Sequence, residues 1–312
     1  MPIQLSDLRI VFMGTPDFAV PTLDALVGLG CQVVGVVSQP DRRKGRGRKV
    51  ARTPVAACAD THNIPVHQWP RLNNDSYATL KALAPDVCVV VAYGKILPQR
   101  YLDLPQHGCI NGHASLLPTL RGAAPIQWAV IRGHGEAGTT IMRMDAGMDT
   151  GDMGAMVRVA VGPDETAGGL HDRLSQRTAE AMAQTMRALC AGTQQWTPQD
   201  HSGATMAPML QKTDGLIDWS WPAQQVHDRV RGTAPWPGAY VPRPGGPLKI
   251  HGTRIAEGSG APGTVIAHDS DGPRIACGEG AVTLLTVQRP GKKPVPGAAF
   301  LNGADLPLGS AL

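Results

Sequence analysis

Asn111-Gly112-His113, with Asp149 further along the chain, supplies an amide, an imidazole and a carboxylate. When a nucleophile attacks a carbonyl carbon, negative charge gathers on the oxygen, and an Asn amide or an imidazole N–H aimed at that oxygen stabilises it. Asn111 and His113 are two residues apart, so at the end of a strand over Cys109 to His113 both side chains point to one face. A carboxylate such as Asp149 can fix the tautomer of the imidazole or take a proton from the attacking group through a water. Together the three types outline acyl transfer, and no Ser or Cys nucleophile is needed when the substrate brings its own amine. Taken singly, the Asn-x-His pair reads more readily as turn chemistry than as catalysis, and Asp149 as a turn residue between Gly147 and Gly151.

The flanking segments predict the scaffold. Arg9 to Met13 reads as a strand, Phe18 to Leu29 as a helix and Gln32 to Val37 as a strand, the order of a right-handed parallel unit. Helical pieces at Pro54 to His62 and Ser76 to Ala84 lead to the continuous apolar run Val87 to Ala92, the pattern of a central strand covered on both faces. The expected fold class is α/β, a Rossmann-like N-terminal domain with a parallel sheet, and the Asn-x-His pair then lies at the carboxyl ends of its strands, where such sheets bind ligands. Thr139 to Met144 and Met153 to Val161 suit later strands, and Glu165 to Cys190 a long helix whose apolar side is core packing. Gly192 to Ala207 is polar and turn-rich, the composition of a linker. Beyond it come a helix at Ala223 to Arg231 and short β-prone runs at Leu248 to His251, Gly263 to Ala267, Arg274 to Cys277 and Val282 to Gln288, which fit a small β-barrel of oligonucleotide-binding (OB) type. The expected division is a catalytic domain at 1–190, a linker at 191–207 and an OB-like domain at 208–312.

The net charge of +4 is mild, but its distribution is not. Arg42, Arg43, Lys44, Arg46, Arg48, Lys49 and Arg52 form a basic run without an acidic residue, interrupted by Gly45 and Gly47. Such a loop suits phosphate neutralisation along a nucleic acid, and equally a solvated loop or a small anion. From Cys190 onward the charge is nearly balanced, so a nucleic-acid face there requires segregation of charge. The 6 cysteines are scattered, without Cys-x-x-Cys or His clusters at metal spacing, as for free thiols in a reducing compartment. Asp7 and Arg9 interrupt the start, and no apolar run reaches the roughly 18 residues of a membrane span. A cytoplasmic protein without metal or membrane attachment is expected.

Several longer stretches carry a resemblance. Asn111 to His113 with Ser115-Leu116-Leu117-Pro118, Arg121 to Gln127 and Asp149 to Asp152 resemble the signature of the 10-formyltetrahydrofolate-dependent formyltransferases. Val11 to Ala19, Gln39 to Arg42 with Gly45 to Arg48, Gly215 to Trp219 and Pro235 to Tyr240 narrow the resemblance to the branch acting on methionyl-tRNA, over nearly the whole chain. It implies Asn111, His113 and Asp149 as catalytic residues and 10-formyltetrahydrofolate as co-substrate. Tyr93, Ile96 and Leu97, with the region around Asp145 to Asp149, would line the folate pocket, and Ser115, Leu116, Leu117 and Pro118 would have binding roles. It further implies initiator methionyl-tRNA as acceptor, met by Arg42, Arg43, Lys44, Arg46, Arg48 and Lys49; a monomer is expected, which no residue pattern fixes. The chain departs from the pattern at Thr119-Leu120, where a basic and an aromatic residue are usual, and at Gly112, where Val is common. Alternatives are a formyltransferase acting on a glycinamide ribonucleotide or amino sugar nucleotide, a formate-releasing hydrolase, and a catalytically silent RNA-binding protein.

Overall fold

The structure, a computed structural model, describes residues 4–44, 49–303 and 306–312. In chain order the first part contains β1 (Arg9–Gly14), α1 (Val20–Gly28), β2 (Gln32–Ser38), β3 (Arg42–Lys44), β4 (Lys49–Ala51), α2 (Pro54–Thr61), β5 (Val66–Gln68), α3 (Asn74–Ala82) and β6 (Val87–Val91). Then come α4 (Gln99–Leu102), β7 (Cys109–His113), α5 (Pro125–Ile131), β8 (Glu136–Arg143), β9 (Met153–Ala160) and α6 (Ala167–Ala191). The remainder holds α7 (Ala223–Gly232), β10 (Ala239–Val241), β11 (Leu248–Ala256), β12 (Val265–Asp269), β13 (Gly272–Ala276), β14 (Ala281–Gln288), β15 (Val295–Pro296) and α8 (Gly297–Asn302).

Two compact units result. The first draws on the residues up to Gly122, Gly138–Val159 and His171–Met206, and the second on Ala123–Ala137, Ala160–Leu170 and Ala207–Leu312. Segments from both sides of the expected linker thus enter the second unit. The main sheet has the order β5-β2-β1-β6-β7-β8-β9 among the described residues. β6 is Val-Cys-Val-Val-Val, buried at every position, and it lies between β1 and β7 in parallel with both, as its unbroken apolar run requires. β8 returns antiparallel to β7, which makes the sheet mixed and not wholly parallel. The connection from β7 to β8 holds one helix, α5, which packs on α7, whereas a parallel return needs a crossover helix on the sheet.

Local chemistry sets several boundaries. Thr53 caps α2, its hydroxyl accepting from Ala56 N at 3.3 Å with Pro54 in the first turn. Asn73 and Ser76 form a reciprocal capping box at the start of α3. α6 buries Leu170, Leu174, Thr178, Ala181, Met182 and Thr185 along one side. The core of the first unit includes Val11, Met13, Val37, Leu80, Cys88, Val90, Tyr93 and Tyr101.

The second unit has an antiparallel sheet of order β10-β11-β14-β13-β12, with β15 added on β14. Its core gathers Val226, Val230, Ile250, Val265, Ile275, Val282, Leu284 and Phe300. The end strands β10 and β12 are not paired with one another among the described residues, so the strands form a sheet around one core without a closing ladder.

The 192–206 segment is hydrogen-bonded within the first unit. Thr197 and Met153 exchange two backbone hydrogen bonds of 2.8 Å, and Arg121 N donates to Thr205 O at 2.9 Å. Its polar composition satisfies backbone partners that are distant in sequence.

Candidate active site

β7 pairs Asn111 with Val90 on one side and Met142 on the other, and strand alternation places Asn111 and His113 on one face. Gly112, between them, takes the opposite face. A Cβ there would come within 2.5 Å of Thr178 Cγ2 on α6, so the absence of a side chain admits the helix. This accounts for the departure at Gly112 in terms of its neighbour.

His113 is 6 % exposed. Its Nε2 lies 3.0 Å from Leu120 O, and since a carbonyl only accepts, Nε2 carries a hydrogen and donates. Nδ1 faces Asp149 Oδ2 at 3.6 Å, within ion-pair reach but longer than a hydrogen bond. The same Oδ2 accepts from Gly122 N at 2.9 Å, which fixes the carboxylate beside the ring. Both partners of the imidazole belong to residues with left-handed backbone, Leu120 at φ +58° and Asp149 at φ +54°. For residues with a Cβ this conformation costs about 1–2 kcal/mol, and it recurs where a site over-determines its geometry.

The turn between them is cross-braced. Ser115 Oγ donates to Thr119 O at 2.6 Å, Thr140 Oγ1 donates to Ser115 O at 2.7 Å, and Leu117 N donates to Thr140 Oγ1 at 3.2 Å. In the other loop Asp145 Oδ1 accepts from Gly147 N at 3.0 Å and Thr150 Oγ1 at 2.7 Å. Gly151 sits where a Cβ would meet Arg143 O at 1.9 Å, so only glycine lets this loop close on the end of β8.

A cavity of about 160 Å³ is lined by Lys95, Ile96, Leu97, Met142, Met144 and the loop from Asp145 to Asp149. Ile96 and Met148 stand on its rim, 80 % and 54 % exposed, apolar surface of the kind that a ligand covers. Lys95 donates from Nζ to the carbonyls of Trp69 and Pro70. Burial and then the charge of Arg42 push its pKa down. A second cleft of about 450 Å³ lies at the carboxyl ends of β1, β2 and β6, lined by Thr15, Gln39, Arg42, Thr53, Ala92 and Tyr93 among others.

A family model described as formyl transferase matches residues 8–186, and one for the formyl transferase C-terminal domain matches residues 209–305. Methionyl-tRNA formyltransferase of Geobacter sulfurreducens is 48 % identical over 309 residues, covering 99 % of this chain and 98 % of the relative. The chain belongs to the methionyl-tRNA formyltransferase family. The family member of Myxococcus xanthus is 47 % identical over 307 residues, with 98 % of each chain covered. Among solved structures, an N-formyltransferase from Helicobacter canadensis in complex with folinic acid and dTDP-3-aminofucose aligns with a TM-score of 0.69 at 14 % identity, over 89 % of this chain and 99 % of that one. HypX from Aquifex aeolicus in complex with tetrahydrofolic acid aligns at 0.62 and 17 %, over 94 % of this chain and 47 % of that one. At these identities the likeness is one of fold.

Relative to the residues expected from sequence in this family member, His113 and Asp149 come together, and Asn111 shares the strand face of His113. Ile96 and Leu97 line the smaller cavity, but Tyr93 turns its ring into the core at 2 % exposure, where burial raises the phenol to about 12. Its carbonyl, accepting from Thr15 Oγ1 and Gln39 Nε2, is the polar part near the larger cleft. Ser115, Leu116, Leu117 and Pro118 form the turn beside His113 and line neither cavity.

The basic run, read from sequence as a loop, is a two-stranded arm, with Arg42 opposite Ala51, Arg43 opposite Val50 and Lys44 opposite Lys49. Arg46 and Arg48 lie outside the described residues. Arg42 is exposed, whereas Arg52 is tied into the root of the arm by hydrogen bonds of 2.8 Å to both oxygens of Asp60 and a contact of 3.5 Å with Asp41.

Sequence reasoning also missed a cluster of possible metal ligands, Asp24 on α1 with Cys58 and His62 around α2. Cys58 Sγ and His62 Nε2 both lie on Asp24 Oδ1, at 3.1 and 2.7 Å. Burial, with Asp24 adding to it, raises the thiol to about 12, away from the thiolate that a metal takes. The only sequence signal was the Cys-x-x-x-His spacing, one helical turn apart.

Proposed function

We propose that this chain transfers the formyl group of 10-formyltetrahydrofolate to the α-amino group of methionine carried on initiator tRNA. The observation that carries the reading is the imidazole of His113, fixed between Leu120 O and the Asp149 carboxylate at the edge of an apolar-walled cavity. The family supports it, because relatives 45–48 % identical over nearly the full chain carry the name methionyl-tRNA formyltransferase.

The folate co-substrate fits the residues present. Ile96, Leu97, Met142 and Met144 offer apolar walls, and the 145–149 loop offers main-chain polar groups. A cavity of about 160 Å³ suits a planar head group, with the rest of the molecule passing over the exposed Ile96 and Met148. When bound, the folate would supply the formyl carbon as electrophile and its nitrogen as the leaving group.

The acceptor amine forms the new C–N bond as the C–N bond to the folate nitrogen breaks, and one amine proton ends on that nitrogen. Asn111 stabilises the negative charge on the formyl oxygen from its strand face. His113 is held by Leu120 O through Nε2, so its Nδ1 edge, facing Asp149, handles the proton. Asp149 receives the amine proton along this edge, keeps the ring oriented, and returns the proton through His113 Nδ1 to the departing folate nitrogen. The larger cleft, rimmed by Arg42, receives the aminoacyl end, with Arg42, Arg43, Lys44, Arg46, Arg48 and Lys49 neutralising acceptor-stem phosphates. In the second unit a cavity lined by Arg243, Arg289 and Lys292, without an acidic residue among the described residues, is a further phosphate contact. The free thiols fit a cytoplasmic protein.

The test is a turnover assay with 10-formyltetrahydrofolate and three acceptors, namely methionylated initiator tRNA, an amino sugar nucleotide and water. Formylation of the tRNA at low enzyme concentration is expected. Transfer to the sugar, or formate release alone, overturns the assignment of the acceptor.

A further inference from the structure

His113 depends on two partners whose backbones are unfavourable when left alone. The Leu120 carbonyl and the Asp149 carboxylate both sit on left-handed residues with side chains. Something must hold both turns, and the segment expected to be a linker reaches each of them.

Gln199 is 5 % exposed and donates from Nε2 to Asp149 O at 2.9 Å and Gly151 O at 2.7 Å. Its Oε1 accepts from Arg121 Nε at 3.1 Å and Nη2 at 2.5 Å. Arg121, 6 % exposed, also directs Nη2 at His201 Nδ1 at 2.9 Å. Two carbonyls at one end of the amide and a guanidinium at the other leave a single orientation for Gln199. On the other side Thr205 Oγ1 accepts from Leu120 N at 2.9 Å, and Thr205 O accepts from Arg121 N at 2.9 Å.

The residue type is informative. A Glu at 199 would pair more strongly with a buried Arg, but it could not donate to two carbonyls. Gln gives up the stronger pair and gains two donors, and both act on the turn that presents the Asp149 carboxylate. We propose that Gln199, braced by Arg121, is a positioning residue for the formyl transfer, holding the Asp149 turn so that its carboxylate faces His113 Nδ1. The inference rests on the role given to Asp149 above.

Gln199→Glu keeps an acceptor for Arg121 and removes both donors, and Gln199→Leu removes donors and acceptor. For each, kcat and the KM values for folate and methionyl-tRNA are measured with Tm, together with hydrogen–deuterium exchange of the peptide spanning 145–152. The expected result is faster exchange in that peptide and a kcat lowered about tenfold to a hundredfold, with both KM values within about twofold of wild type. If Gln199→Leu fails to fold, Gln199→Glu carries the test, because Arg121 keeps its partner there. Unchanged exchange shows that Gln199 does not hold the turn, and faster exchange with wild-type kcat shows that chemistry does not need the turn held. Either overturns the proposal, as does a lowered Tm with wild-type kcat. A wild-type enzyme inert toward methionyl-tRNA removes the functional reading instead, and the exchange result then decides separately whether Gln199 holds the turn.

Discussion

The surroundings of His113 and the basic arm both lie between strands of one sheet, yet they are braced at different places. Around His113 the Ser115–Gly122 and Asp145–Gly151 loops are hydrogen-bonded to one another, to β8 through Thr140 and to the 197–205 segment. The arm formed by β3 and β4 is anchored at its root, where Asp41 accepts from Gln68 Nε2 at 2.7 Å and Thr53 N at 3.1 Å and Arg52 reaches Asp60. Acyl transfer needs atoms held to fractions of an ångström, whereas phosphate neutralisation works through charge that can adapt. With the roles proposed above, the difference in bracing follows the difference in task.

Substitutions should therefore act differently in the two regions. The largest effect is expected from His113→Ala, which removes the imidazole and should lower kcat about a thousandfold while folate KM moves little. Steady-state kinetics would show this, and a shift confined to KM would break the contrast. In the arm, Lys49→Glu should weaken tRNA binding about tenfold and lower the slope of log affinity against log salt by about 1, sparing folate binding. Arg52→Ala should leave that slope unchanged, because its charge is already paired with Asp60 and Asp41. Equal slopes for the two variants would show that the root and the rest of the arm do not differ.

Smaller effects concern stability. Gly112→Ala places a Cβ against Thr178 Cγ2 and should destabilise the fold by about 1–3 kcal/mol. Thr178→Ser, which keeps the hydroxyl bonded to Thr139 and removes the methyl, should restore part of that loss in thermal unfolding. At the arm's root, burial pulls the Asp41 pKa up, but hydrogen bonds from Gln68 and Thr53 and the charge of Arg52 outweigh it, and the net shift is downward. A depressed folded-state pKa contributes stability that is present above the unfolded value of about 3.9 and is lost as pH falls through the folded one. The Tm gap between wild type and Asp41→Asn should accordingly be constant near neutrality and close only below about pH 4.

The two regions were also unequally legible in the sequence. β1, β2 and β6 announce themselves through apolar runs, and the two-residue spacing of Asn111 and His113 predicts their common face on a strand. The helix α5 escaped because Pro125–Ile131 is short and its periodicity is blurred by nearly continuous apolar character. Gln199 and Thr205 escaped for a different reason. Polar residues in a turn-rich stretch look like a linker, and their partners Asp149, Arg121 and Leu120 are 50, 78 and 85 residues away. Tyr93 is instructive too, since its place after β6 fits a pocket residue, but the left-handed Ala92 before it precedes a ring directed into the core. Local pattern carries strands and spacing; it does not carry the long-range hydrogen bonds that fix the turns beside His113.

The most direct test of the account is the formyl-transfer rate of Asp149→Asn with 10-formyltetrahydrofolate and methionyl-tRNA both saturating. Asn preserves size and can keep the contact with Gly122 N, but it cannot accept the amine proton. A kcat about a hundredfold or more below wild type, with the fold intact, is the predicted result. A wild-type kcat would contradict the role of the His113–Asp149 pair.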